Sequence, residues 1–442
     1  MHRFRQLARH TPASRERYVD LLRAIAIITV ITGHWLMTVI QPLPSGGLVG
    51  RNALQDLVDL RAVTWLFQVL PLFFLVGGYA NAASLTNRLA RDGDRAGWLA
   101  DRSARLLGPT TLFLVIAATV SLIAWLAGVD PRQIRLAVWF VTVPLWFLAP
   151  YLLVVLLTPV MFALHQRAGF AVPLVLLGLV GLGDAARLLD LHWWGAGNYV
   201  FGWLLMHQLG FAWRTGTLRS RPPAATALLL AGLIALLLLT VPGPYPVGMI
   251  NLPGQRLQNM SPPSLALISL AIAQLGLVLL LRGPAERMLR RAGPWTAVVA
   301  VNAVVLTIFL WHLTAVTLLA GAMNALGVLP TPPAGSTEWW LWRVPWVVLA
   351  AVLLTPLVLL FGPVEARAGR RLGRRLLRPP PHLRGLLVVL GYLTAIGGLL
   401  GNSNYPRDRV APLGIPIGAL AAYLAGAGLL RLLRGGNPRP GP

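Results

Sequence analysis

Two side chains in the first apolar stretch have types and a spacing that suit chemistry: Arg23 and His34, eleven positions apart. Imidazole titrates near neutrality and is the usual general base. Guanidinium is a permanent cation matched to phosphate and carboxylate. On an α-helix eleven residues turn through about 1100°, roughly 20° from three full turns, so both project from one face. Their Cα atoms are then roughly 16 Å apart along the axis. An ionisable group inside an apolar span is itself a functional signal. A structural reading stands beside it: Arg23 snorkels to the inner surface and pairs with Asp20, and His34 is hydrogen-bonded inside the bundle.

A second imidazole, His312, lies in IFLWHLTAV at a depth close to that of His34. Two imidazoles at one level can share a polar cavity, and a core histidine bonded to a carbonyl is the competing reading. His207 is a weaker candidate of the same kind. The run Gly77, Gly78, Asn81 and Ser84 reads first as close helix packing, with a cavity lining as the alternative. Asp184 pairs with Arg187 at i+3 in the expected arrangement. There is no Cys, which removes disulfides, thiolate metal sites and a Cys nucleophile. No His/Asp/Glu group has metal-ligand spacing, so no metal is expected, and no Gly-rich phosphate loop occurs.

The elements that hold these residues are membrane helices. Hydrophobic residues make up 56% of the 442 and charged residues 12%, against about 25% charged in a soluble domain. Apolar stretches of span length fall at roughly 19–40, 62–84, 107–127, 138–164, 170–190, 197–213, 225–241, 264–281, 295–320, 340–361, 384–400 and 412–432. Pro144 interrupts the fourth, and the sixth is short. The fold class is therefore all-α and integral to a membrane.

Charge sets the orientation. All 38 basic residues are Arg, against 14 acidic. They cluster between apolar runs instead of on one soluble face, which argues against a nucleic-acid partner. With the N-terminus inside, 28 Arg fall in inner segments and nine in outer ones, and Arg23 completes the set. The positive-inside rule then places both termini in the cytoplasm. The basic segment 1–17 has no short apolar region with a cleavage site, so no signal peptide is expected. Trp pairs Trp193/Trp194 and Trp339/Trp340 are expected as interfacial anchors. The Arg/Pro-rich stretch 367–384 reads as a cytoplasmic linker. It separates a ten-helix core, 18–366, from a terminal helix pair and tail, 385–442. Arg-only, Ala/Leu/Gly/Pro-rich usage suggests a bacterial source and hence the bacterial inner membrane.

The chain resembles the membrane acyltransferase 3 family. The resemblance rests on Asp20-x2-Arg23-x10-His34; on Phe73-Phe74 with Gly78-Tyr79; on Arg102-x2-Arg105 before Pro109; on Leu145-Trp146-Phe147-Leu148; and on Leu310-Trp311-His312. Gly77 stands where the family commonly has Ser. The resemblance implies an acyltransferase that moves an acyl group from acyl-CoA, as co-substrate and not as a bound cofactor. The acceptor is a hydroxyl of an envelope carbohydrate, lipid or similar molecule. Arg23 and His34 carry over as the catalytic pair, His34 as base. Arg102, Arg105, His312 and Asp20 are the donor- and substrate-binding candidates. Transfer runs directly from donor to acceptor or through a transient acyl-histidine. The alternative class is a transporter or exporter of an envelope precursor that uses His34 and His312 as pathway residues. The lack of clear midplane carboxylates and of a two-half repeat counts against it.

Overall fold

A computed structural model describes residues 6, 8, 10, 11, 15–43, 47–91, 93–218, 221–368, 377 and 379–434. The described chain is predominantly helical, with one short two-stranded hairpin. It runs α1 (Arg17–Met37), a hairpin of β1 (Thr38–Pro42) and β2 (Leu48–Asn52), α2 (Thr64–Phe67), α3 (Leu70–Leu89), α4 (Arg95–Leu126) and α5 (Pro131–Thr142). It continues through α6 (Leu148–Ala168), α7 (Ala171–Leu188), α8 (His192–Gly195), α9 (Asn198–Arg214), α10 (Pro222–Thr240) and α11 (Leu265–Leu289). The last elements are α12 (Ala292–Asn302), α13 (Val305–Ala325), α14 (Thr337–Ala368), α15 (Pro381–Asn404) and α16 (Ile417–Leu433).

Every apolar stretch found in the sequence contains helix, though the first ends in strand at Thr38. Among the described residues ten helical segments are long and apolar enough to cross a membrane. The expected sixth and twelfth spans are α9 and α16, of 17 residues each. That is short of the roughly 20 residues of a full perpendicular span. Much of the expected linker, 367–384, lies outside the described residues.

Three spans are discontinuous. The fourth breaks at the 3₁₀ turn Val143–Phe147, as Pro144 led us to expect. The second breaks at Gln68–Val69, just ahead of Pro71, which has no N–H to continue the preceding turn and sits in the first turn of α3. There the Gln68 side chain stands in for helix partners: its Nε2 donates to Met249 O and its Oε1 accepts from Leu70 N. The ninth breaks between Asn302 and Val305, without proline or glycine. Irregular backbone at membrane depth persists only where its polar groups find partners, and the side chains of Gln68 and Glu365 (below) supply them.

The chain separates into two compact units, residues 1–30, 54–87 and 157–303 in one, and 31–53, 88–156 and 304–442 in the other. In the first unit α10 and α11 meet backbone to backbone: a Cβ on Gly276 would overlap the main chain of Leu229. Gly78 of α3 likewise packs on the His207 carbonyl of α9, so the Gly77-Gly78 run serves close packing here. The expected Asp184–Arg187 pair forms at 3.0 Å. Tyr245, in the connection from α10 to α11, donates to the same carboxylate. Burial and that carboxylate push the Tyr245 phenol up beyond its usual range.

In the second unit α15 and α16 pack together and onto α4. Tyr392 donates to Leu99 O at 2.9 Å and Tyr423 to Leu107 O at 3.2 Å. Arg135 of α5 is fully buried and donates to Gly414 O and Tyr405 O, fastening the turn between α15 and α16. Trp193 and Trp194 are exposed, at 93% and 78%. Trp339 departs from the exposure expected of an interfacial anchor. It is 1% exposed, with the Arg343 guanidinium over its ring at 4.5 Å and Trp340 edge-on to it at 4.6 Å.

Candidate active site

The first helix is set by its apolar run from Ala24 to Thr32 and ends where the β-branched residues Thr38, Val39 and Ile40 enter the hairpin. Thr38 Oγ1 turns back to donate to the carbonyl of His34 at 2.7 Å. Arg23 and His34 therefore ride one uninterrupted helix, on one face, as the spacing requires.

His34 Nδ1 lies 2.8 Å from His312 Nε2. The ring centres are 5.1 Å apart and the planes differ by 10°. Two ring radii added to the N···N distance account for the whole centre separation. The imidazoles thus lie end to end in nearly one plane, the arrangement of an N–H···N hydrogen bond and not of a face-to-face stack. His312 is fully buried, and its Nδ1 lies 2.6 Å from the Phe309 carbonyl. A carbonyl only accepts, so His312 Nδ1 carries the proton. Its Nε2 is then a lone pair in the neutral ring. That lone pair takes the proton donor from His34, which must be Nδ1–H. The protons are assigned by this network. What is left is the Nε2 of His34, with a lone pair and no hydrogen-bond partner among the described residues.

The surroundings fix this pair. The Trp35 indole donates to the His312 carbonyl at 3.0 Å. Phe309 packs edge-on to Phe147, and Trp311 lies flat on Phe361 at 4.1 Å. The Leu145–Leu148 and Leu310–His312 segments of the sequence thereby share one neighbourhood.

Arg23 sits in the first unit, where the structural reading is also realised. Its Nη1 meets Asp20 Oδ1 at 3.2 Å, and the other carboxylate oxygen accepts from Arg15 Nε at 2.6 Å. Asn302 at the end of α12 donates to the Asp20 main-chain carbonyl. Asp20 is thus the residue that aims Arg23. Arg102 is half-buried on α4 and Arg105 is exposed one turn on. His207 is fully buried and hydrogen-bonds Asn81 at 3.1 Å, a core arrangement. Among the described residues no cluster of three or more His, Cys, Asp or Glu is arranged to hold a metal.

Two polar residues near the histidines were missed. Glu365 lies past the apolar edge of the tenth span, yet its carboxylate caps α13 by accepting from Leu306 N, Thr307 N and Thr307 Oγ1. Arg343, counted as an outer loop charge, is 7% exposed and bonded to carbonyls at the end of α1. The one available signal was a lone acid and a lone base at opposite ends of an otherwise uncharged Trp/Pro/Leu run.

Compared with known proteins, residues 16–362 match the family model described as an acyltransferase domain. No curated protein and no solved structure matches the chain.

Proposed function

We propose, from the premise that the chain belongs to the membrane acyltransferase 3 family, that His34 is the general base of acyl transfer from acyl-CoA to a hydroxyl acceptor. The protein is an acyltransferase with multiple membrane-spanning helices, and this replaces the transporter reading. The observation that carries the base assignment is the hydrogen-bond chain from His34 through His312 to the Phe309 carbonyl. It orients the His34 ring, fixes its tautomer and leaves Nε2 as a lone pair able to take a proton.

In the direct route the acceptor hydroxyl gives its proton to His34 Nε2 as its oxygen attacks the thioester carbonyl carbon. The C–S bond breaks, and the departing sulfur takes the proton back from the imidazolium. The ester and free CoA thiol account for all atoms. His312 supports the imidazolium through the Nδ1–H bond. Arg23, aimed by Asp20, and Arg102 with Arg105 are assigned to the phosphates of the donor, for which guanidinium is suited. The donor enters from the cytoplasm and the acceptor is an envelope carbohydrate or lipid. The protein resides in a bacterial inner membrane with both termini inside.

The test is thiol release from acyl-CoA by purified protein in lipid. We expect His34→Ala to lower the rate by roughly 10²–10⁴-fold, the usual worth of a positioned base. Transfer at the normal rate by folded His34→Ala would sink the assignment. Comparison of envelope glycans and lipids from a deletion strain with the parent should show one lost ester.

A further inference from the structure

The two ends of α14 carry buried charges of opposite sign, and each meets the end of a helix that bears one of the paired histidines. Near the start of α14, Arg343 Nη1 donates to Thr38 O at 2.9 Å and reaches Leu36 O at 3.5 Å. Leu36 lies in the last turn of α1 and Thr38 follows that turn directly as the start of β1, at the end where a helix leaves its last carbonyls unpaired and its dipole negative. Trp339 and Trp346 flank the guanidinium at 4.5 and 5.6 Å and hold it in place. Near the other end, Glu365 accepts from the Leu306 and Thr307 amides at 3.0 and 2.7 Å and from the Thr307 hydroxyl at 2.7 Å. Those amides open α13, the positive end of its dipole.

Among the described residues Arg343 meets no carboxylate and Glu365 meets no cation. A buried charge left alone costs several kcal/mol. Here the helix ends are the counter-charges, so neither side chain can leave without exposing unpaired backbone. Arg343 and Glu365 are 22 residues apart, roughly 33 Å along a helix axis, with Pro345, Pro356 and Pro363 between them, and so grip α1 and α13 near opposite ends of one helix.

We propose that α14 is a brace that sets the register of His34 against His312. Arg343 fixes the end of α1 two to four residues beyond His34. Glu365 fixes the start of α13 five residues before His312. The imidazole pair needs that constraint, because its 2.8 Å bond lies in a common plane, and an axial slide or rotation of either helix breaks it. The Trp35 indole links the helices laterally at one point, and a single hinge leaves rotation about it open. Arg343 and Glu365 are positioning residues, and their effect on turnover rests on the role proposed for His34.

The test uses full-length protein in lipid with ¹⁵N-labelled histidine. Solid-state NMR reports the His34–His312 hydrogen bond, and thiol release gives kcat and KM. For Arg343→Met we expect loss of the hydrogen-bond signature. We also expect about a 100-fold fall in kcat, the scale of a 1 Å misplacement, with the donor KM unchanged. Retention of the bond with normal kcat in folded Arg343→Met overturns the brace, as does a change confined to KM. If that variant does not fold, Arg343→Lys and Glu365→Gln decide. Lysine is a point charge without the guanidinium fork, and glutamine offers one acceptor oxygen in place of two. Each should lower kcat at constant KM, and wild-type kcat in both overturns the brace. Loss of the histidine bond in Arg343→Met alongside normal transfer by His34→Ala would leave the brace standing and remove the base assignment. Persistence of the bond with an inactive His34→Ala would do the reverse.

Discussion

Asp-x-x-Arg occurs in α1 as Asp20 and Arg23 and again in α7 as Asp184 and Arg187, and the two copies are built differently. Around Asp184 the hydrogen bonds are complete. One oxygen accepts from Arg187 and Asn198 at 3.0 Å each, the other from Tyr245 at 2.9 Å and the Leu265 amide at 2.7 Å. Arg187 spends its other terminal nitrogen on the Gln258 carbonyl. The pair is 1% and 9% exposed. Around Asp20 each oxygen has one arginine, and the Arg23 side chain is 27% exposed. A closed carboxylate is a rivet; a pair with an accessible guanidinium can exchange its partner for an incoming anion. Sequence spacing is the same in both, and the number of further donors to the carboxylate is what differs.

The largest effect that can break this comparison is on stability. Arg187→Met leaves Asp184 buried without its counter-charge, which costs about 3–5 kcal/mol. Thermal unfolding in detergent should show a large drop in Tm, with kcat unchanged in the fraction that stays folded. An unchanged Tm means that the neutral donors suffice and the pair is no rivet.

Arg23→Met should give the opposite pattern. Charge-assisted hydrogen bonds are worth about 1.5–3 kcal/mol, so the donor KM should rise roughly 10- to 150-fold while Tm barely moves. Arg23→Lys should recover part of the loss, because a compact ammonium keeps the charge without the bidentate fork. A variant that loses Tm and keeps its donor KM makes Arg23 a second rivet and collapses the contrast.

Hydropathy placed helix in each of the twelve apolar stretches, because bilayer length and apolar content act residue by residue. Helical phase put Arg23 and His34 on one face for the same local reason. The likeness of depth between His34 and His312 was also legible, since depth follows from position along a span. Their in-plane bond was not. It depends on how α1 and α13 are held, and the holders Arg343 and Glu365 act through main-chain groups that leave no pattern in side-chain sequence. The breaks at Gln68–Val69 and Ala303–Val304 also escaped. Pro71 follows the first closely and was available as a signal. The second escaped for a related reason: no proline or glycine marks it, and the partners of its freed amides at Leu306 and Thr307 lie about sixty positions downstream. Trp339 reads as an interfacial anchor in the sequence because its burial follows from packing that hydropathy does not show.

The finest probe of the Asp184 site is Tyr245→Phe, which deletes one of its four donors and little else. Three donors remain, so the expected cost is about 1 kcal/mol, well below that of Arg187→Met. The pH dependence is distinctive. The Tyr245 phenol is raised by burial and then by the Asp184 carboxylate, so the folded protein holds this proton more tightly than the unfolded chain. Its contribution is fully present below the unfolded phenol pKa of about 10 and is lost as pH climbs from there toward the folded value. The stability gap between wild type and Tyr245→Phe should therefore be constant at neutral pH and close in alkali. Other buried tyrosines titrate in both proteins and cancel in that difference. A gap that persists undiminished in strong alkali would show that the ring's packing, and not its hydroxyl, accounts for the loss.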